Sequence, residues 1–339
     1  MNQALRITAA GAGIALALTF AACSRPAAPA AGGAPSTSAA PADQKLSIGF
    51  FGFAKANSFA QAGFAGVQEY ASAHNATAEF LDSNFDGPTQ VNQLQDAITS
   101  KRFQVAIVQA NDGTAMVNPI KQAVAAGITV VVQFTPVGGR YDTIDPQVDG
   151  TVNLIDPPTV NGQGLAKMAL GACGSTKPCK VAYLQGFANY PLDAARTDAA
   201  VATLKSGGAD VVSNLVGGYT QDSGRTAMQN LLQSDPDVQV VIGSAQAIEG
   251  AAPLAKAKDI KFVGNGGSSQ AYEAVQSGAW YGTYALPEKE EGAKAAELGL
   301  SKARGQQVPA ASSSCTVLTT FDCLGTKDKL QGLTSPYSD

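Results

Sequence analysis

Amides, hydroxyls and aromatic rings recur in this chain at stations that each follow a short apolar run. They are Asn57-Ser58-Phe59, Gln109-Ala110-Asn111-Asp112, Gln133-Phe134-Thr135, Gln185-Gly186-Phe187-Ala188-Asn189-Tyr190, Tyr219, Ser244-Ala245-Gln246 and Asn265-Gly266-Gly267-Ser268. Amides donate and accept hydrogen bonds while rings stack, so such a set suits capture of a neutral polar ligand with an apolar face. It does not suit covalent chemistry. His74 is the one histidine; a Ser-His-Asp relay would have to use it, and a His-rich metal site is impossible. It reads instead as the exposed end of a helix before a turn at Asn75. With no nucleophile–base pair to name, neither an enzyme nor a metal site nor a cofactor is expected. The run Gly264-Asn265-Gly266-Gly267 lacks GxGxxG spacing, and no GxxxxGK[ST] occurs, which argues against a nucleotide.

The elements that must carry these residues alternate. Leu46 to Phe51 is a short apolar run of the kind buried on both faces of a parallel sheet. A polar bend and a helix follow, with Asn57 or Ser58 as N-cap. Strands are expected over 76–81, 103–109 and 128–134, with helices over 87–99 and 113–126. After a turn-rich stretch, 138–151, a second series begins. Its helices are 159–170, 192–204, 222–232, 248–256 and 268–276, and its strands 180–184, 209–215, 238–242, 260–263 and 280–286. A charged helix, 288–304, comes last. This alternation predicts two doubly wound α/β lobes with parallel sheets. Ligands in such sheets bind where strand carboxyl ends meet the next helix.

The candidate ligand-binding residues are therefore Phe51, Asn57, Phe59, Gln109, Asn111, Asp112 and Phe134 in the first lobe. In the second they are Asn189, Tyr190, Arg196, Tyr219, Ser244, Gln246, Asn265 and Tyr284. Plainer roles stay open: Asn57 and Asn111 as helix caps, Phe134 and Tyr219 as packing, Arg196 as a solvated helix charge.

The 339 residues are 45% apolar and 15% charged, enough for two domains with a core. A net charge of −4 leaves no basic stripe for a nucleic acid. Residues 1–22 hold one charge, Arg6, ahead of a small apolar run too short and Gly-broken to span a membrane. The run ends Phe20-Ala21-Ala22-Cys23, which resembles a bacterial lipoprotein signal with Cys23 lipidated; an ordinary secretory signal is the alternative. Residues 23–44 are Pro/Ala/Gly/Ser-rich and read as a disordered tether, with the 20 residues 24–43 reaching at most roughly 70 Å. Cys173, Cys179, Cys315 and Cys323 are an even set in an exported chain. Of three possible pairings, the local Cys173–Cys179 and Cys315–Cys323 are favoured over a zinc site.

From about Leu46 to Gln307 the chain resembles the ribose/galactose-type periplasmic binding proteins, the solute receptors of sugar ABC importers. The residues that carry the resemblance are Asn57-Ser58-Phe59, Gln109 to Asp112, Leu184-Gln185-Gly186, Tyr219 nine residues before Met228-Gln229-Asn230-Leu231-Leu232, and Ala285-Leu286-Pro287. The resemblance implies the type I architecture, with three chain crossings at a hinge and a ligand trapped on closure. Lobe one is then 45–155 plus 287–311, and lobe two 156–286 plus 312–339. It also implies a monomer outside the cytoplasm that hands a small molecule to an ABC permease of the inner membrane. Presentation to a chemoreceptor or sensor kinase is the alternative. Phe134-Thr135, Ser244-Ala245 and Gly266 stand where sugar-binding members carry charged or amide partners, so a ligand less hydroxylated or bulkier than a simple sugar is expected.

Overall fold

The computed structural model describes residues 44–255 and 258–339. The expected leader, Cys23 and all of the tether but Gln44 lie outside the described residues. The first series is β1 (Leu46–Gly52), α1 (Ser58–Ala73), β2 (Ala76–Asp82), α2 (Gly87–Ser100), β3 (Val105–Val108), α3 (Val117–Ala125), β4 (Thr129–Phe134) and β5 (Val152–Ile155). The second is α4 (Pro158–Cys173), β6 (Lys180–Gln185), α5 (Pro191–Ser206), β7 (Asp210–Val216), α6 (Gln221–Ser234), β8 (Val240–Ser244), α7 (Ala245–Ala251), β9 (Lys261–Asn265), α8 (Ser269–Ser277) and β10 (Gly282–Tyr284). Then come α9 (Glu288–Ala303), β11 (Ala311–Ser313), α10 (Ser314–Leu318), β12 (Leu324–Thr326) and α11 (Lys327–Leu330).

Two six-stranded sheets result, ordered β2-β1-β3-β4-β5-β11 and β7-β6-β8-β9-β10-β12. Every neighbouring pair is parallel except β12 against β10. The central strands β3 and β4 are buried at every position, as helices on both faces require of unbroken apolar runs. Edge strand β7 leaves at least part of each residue in solvent. The chain passes between the sheets three times: after β5, after β10, and after β11.

After the second crossing, α9 returns to pack on α1, β3, β4 and β5. Its contact with α1 is backbone against backbone. A Cβ on Gly66 would lie 1.8 Å from the Lys289 carbonyl oxygen, and one on Gly292 1.9 Å from that of Gly63. This close crossing sets Glu288 and Glu291, both wholly buried, under the sheet tips beside the hinge. Disulfides join Cys173 to Cys179 and Cys315 to Cys323.

Several elements differ from the sequence reading. Strands β5, β11 and β12 and helices α10 and α11 were not expected; each is five residues or shorter, and β11 is Ala-Ser-Ser with no apolar period. The helix expected from 113 starts at Val117, because Asp112 Oδ1 holds the preceding turn by accepting from the Thr114 and Ala115 amides. The strand expected over 280–286 shrinks to Gly282–Tyr284, since Ala285 to Pro287 is the second crossing. Helix α7 begins at Ala245, capped by Ser244, whose Oγ accepts from the Ala247 amide at 3.1 Å. His74 ends α1 and stacks on Tyr70 with ring centres 3.8 Å apart.

Candidate functional site

Strand carboxyl ends from both sheets meet around a cavity between the lobes. From lobe one it is lined by Phe53, Asn57, Phe59, Phe85 and Phe134, and from lobe two by Tyr190, Leu192, Arg196, Tyr219, Gln246, Asn265 and Gly266, with Leu286 at the second crossing. About 50 Å³ is open to the centre of a water molecule. One water needs roughly 10–15 Å³ on that measure, so the cavity admits a compact small molecule.

The walls are aromatic. Phe134 meets Phe59 edge-on at 5.0 Å and Phe53 at 6.0 Å, with the Arg196 guanidinium 5.9 Å from its ring centre. It holds φ +64°, a left-handed conformation unfavourable for a bulky residue, at the end of β4. Phe85, also left-handed at φ +58°, lies near-parallel to Tyr219 across the lobes, ring centres 6.2 Å apart. Tyr190 donates its hydroxyl to the Phe85 carbonyl, and Gln246 Nε2 donates to Ser58 Oγ at 3.2 Å. The two jaws are therefore in contact around the cavity.

Polar groups punctuate this apolar surface. Asn57 both caps α1, accepting from the Ala60 amide at 3.0 Å, and lines the cavity. Arg196, on α5, is buried rather than solvated, at 4% exposure. Its Nη1 donates to Asp193 Oδ1 at 3.1 Å and to the Tyr219 hydroxyl at 3.4 Å. Tyr219 in turn donates to Asp193 Oδ1, and the Phe187 amide donates to Asp193 Oδ2 at 2.7 Å. Burial opposes the charge on Arg196, but Tyr219 and Asp193 beside it hold its pKa above the ordinary value, so it stays protonated. Burial also pushes the Tyr190 hydroxyl up to about 12, with Asp193 and Asp86 adding to it. Arg196 is the one lining residue that is charged at neutral pH, and Asp193 balances it. Asn265 Oδ1 accepts from Asn161 Nδ2 at 3.1 Å.

The structure thus brings Asn57, Phe59, Phe134, Tyr190, Arg196, Tyr219, Gln246 and Asn265 to one cavity. The other sequence candidates sit elsewhere. Phe51 lies inside β1 and packs into the far side of its sheet against Phe103; Phe53, past the strand end, reaches the cavity instead. Gln109 points under the sheet, donating to Glu288 Oε1 at 2.7 Å. Ser244 is spent on capping α7 and donating to the Gly218 carbonyl at 2.7 Å. Tyr284 turns to the hinge and donates to Asp156. Asn111, Asp112 and Asn189 line a neighbouring open groove with Pro88 and Val91, on the outer side of Tyr190. The sequence reading did not name Phe53, Phe85, Leu192 and Leu286 individually as ligand residues, whereas Gly266 lay in its Asn265-to-Ser268 station. Phe85 follows β2 just as Phe53 follows β1, so the same strand-end rule applied to β2 finds it.

Two doubly wound lobes, a three-crossing hinge and an interlobe cavity bridged by bonds from both sides define a solute-trapping protein of the cleft-binding class. The pattern of the periplasmic binding protein domain matches residues 48–307, and the chain belongs to that family. The protein is accordingly a non-enzymatic solute-binding protein of the extracytoplasmic kind. Among relatives, it is 26% identical over 255 residues to the ribose import binding protein RbsB of Salmonella typhimurium, covering 72% of this chain and 80% of that one. The Escherichia coli K12 protein of the same name is 25% identical over 255 residues, with 72% and 80% coverage. Among solved structures, an ABC transporter solute-binding protein from Mycobacterium smegmatis with bound glycerol is similar at TM-score 0.71 and 24% identity, covering 87% of this chain and 100% of that one. One from Bacillus halodurans with bound myo-inositol has TM-score 0.71 and 19% identity, covering 85% and 97%.

Proposed function

We propose that this protein is the receptor of an ABC import system and closes on a compact, neutral, sugar-like or polyol-like ligand. One observation carries the reading: a cavity between two sheet tips whose walls are aromatic, whose neutral polar groups are amides and tyrosine hydroxyls, and whose one cation is already balanced. A charged solute would find no free countercharge there, whereas a hydroxylated one can lay a C–H face on the rings and bond to Asn57, Gln246 and Asn265. The relatives' name, ribose import binding protein, and the glycerol and myo-inositol bound in two similar structures support the same ligand class.

Few partners await many hydroxyls. Gly266 holds φ +151°, and any side chain there would meet the Ala245 Cβ at 2.8 Å, so no carboxylate can stand at that wall. A buried ligand hydroxyl without a partner costs about 1–3 kcal/mol. This favours a small polyol over a fully hydroxylated hexose. Hinge closure would then present the permease with one compact, liganded state. A lipid on Cys23 would keep the receptor at a membrane surface at the end of its tether.

Isothermal titration tests the ligand class with glycerol, erythritol, myo-inositol, ribose, xylose and galactose beside glutamate and lysine. Binding of a neutral polyol or sugar, with no heat from the charged amino acids, is expected. Binding of an amino acid alone overturns the reading, and sub-micromolar ribose, xylose or galactose overturns the preference for fewer hydroxyls.

A further inference from the structure

Beyond α11 the chain runs back over the start of α8. The Ser269 amide donates to the Tyr337 carbonyl at 2.8 Å and the Gly267 amide to the Tyr337 hydroxyl at 3.0 Å. Gln270 Nε2 donates to Ser338 Oγ at 2.7 Å and to the Asp339 carbonyl at 3.1 Å, while its Oε1 accepts from the Asp339 amide at 3.1 Å. Residues 337–339 are thereby fastened to lobe two.

The Asp339 side chain then crosses to lobe one. Its Oδ1 accepts from Ser58 Oγ at 2.7 Å, and Ser58 is the first residue of α1, next to the cavity residue Asn57. The same Ser58 oxygen accepts from Gln246 Nε2, itself a cavity residue of lobe two. A single hydroxyl can give one proton and take another bond at once, so the relay has a direction: Gln246 to Ser58 to Asp339. The carboxylate also lies beside Ser268, the N-cap of α8. It therefore stands at the N-terminal ends of two helices from opposite lobes, where backbone dipoles favour a negative charge.

We propose that Asp339 is a positioning residue for closure: its carboxylate, seated between the starts of α1 and α8, holds Ser58 and through it Gln246 in the closed geometry. It thereby weights the open–closed balance before a ligand arrives. The inference rests on the reading of the protein as a closing trap, but not on which ligand it takes. Breaking a charge-assisted bond that exists in one state only shifts that balance by roughly tenfold to a hundredfold.

The test is the distribution of lobe separations in the full, ligand-free chain, measured by pulsed electron double resonance. Spin labels are placed through Lys121→Cys on α3 and Lys205→Cys on α5, both exposed and on opposite lobes. Asp339→Ala and Ser58→Ala should each move population to the longer separation. The double variant should move it no further than either single one, and Asp339→Asn should fall between. Identical distributions in the parent and Asp339→Ala overturn the proposal, as do additive effects in the double variant. A role limited to fastening the segment on α8 would lower the unfolding midpoint and leave the separations unmoved. If Asp339→Ala does not fold, Ser58→Ala leaves every anchor on α8 in place and decides alone. Failure of the polyol reading would show only in titrations, with the separations still answering to Asp339→Ala.

Discussion

Tyr284, the last residue of β10, donates its hydroxyl to Asp156 Oδ1 at 3.0 Å, so a single buried bond ties the second chain crossing to the first. Asp156 also accepts from Asn161 Nδ2 at 3.1 Å. Burial raises its pKa to about 6, against the lowering effects of the Tyr284 bond, the Arg196 charge and the Asn161 bond. Tyr284→Phe removes the strongest of these and leaves a buried carboxylate short of a donor. A loss of about 1–3 kcal/mol in urea unfolding is expected at pH 8, and a smaller one at pH 5, where Asp156 carries its proton. Equal losses at both values would count against the assignment.

The start of α9 adds two more buried carboxyls to this hinge. Glu291 is pushed up to about 8, by burial first and then by the charge of Asp156; Glu288 is raised well above 4.5, by burial and then by Glu291. Glu288 Oε1 accepts from Gln109 Nε2 at 2.7 Å and Gln133 Nε2 at 3.2 Å, neutral donors that do not supply a countercharge. An acid whose pKa rises on folding holds its proton more firmly in the folded state. Its contribution is therefore complete below about pH 4.5 and is lost as pH rises through about 8. The parent should lose stability between pH 5 and 8.5. Glu291→Gln should flatten that slope by up to about one proton per molecule, as read from urea midpoints across the range. An unchanged slope would refute the protonated-hinge assignment.

Arg196 and Asp193 are 4% and 1% exposed, so neither can turn to water when the other is lost. Arg196→Met strands the carboxylate and should cost about 3–5 kcal/mol. Adding Asp193→Asn should recover much of that loss, since no uncompensated charge then remains. Guanidinium unfolding of the two single variants and the double one checks it. Additive losses would show that the two side chains act independently.

Anchoring is tested apart from folding. The parent expressed in a bacterium with a lipoprotein-processing pathway should partition into the detergent phase, and Cys23→Ser into the aqueous phase. The folded body should unfold at the same temperature in both, within about a degree, because the exchange leaves the sequence of all the described residues unchanged. Aqueous partition of the parent would exclude the lipid.

Periodicity fixes much here without any tertiary knowledge. Unbroken β-branched apolar runs such as Val130 to Val132 suit central parallel strands, because a strand buried on both faces admits no alternation. Strand–helix alternation then places Asn57, Phe134, Tyr219 and Asn265 at sheet tips, since a strand's carboxyl end is defined along the chain. Side-chain direction is not so defined. Phe51 and Phe53 are two positions apart in one apolar stretch, and only where the strand ends decides which ring enters the cavity. The fate of Arg196 likewise depended on folding. Its helical position suggests solvent, but α5 lies against α4 with the Arg196 carbonyl 2.2 Å from where a Gly162 Cβ would stand, and that packing turns the guanidinium inward to Asp193. Contacts between residues far apart in sequence, such as Asp156 with Tyr284 and Ser58 with Asp339, leave no local pattern to read. They exist because three crossings bring distant segments together, and that is a property of the folded chain alone.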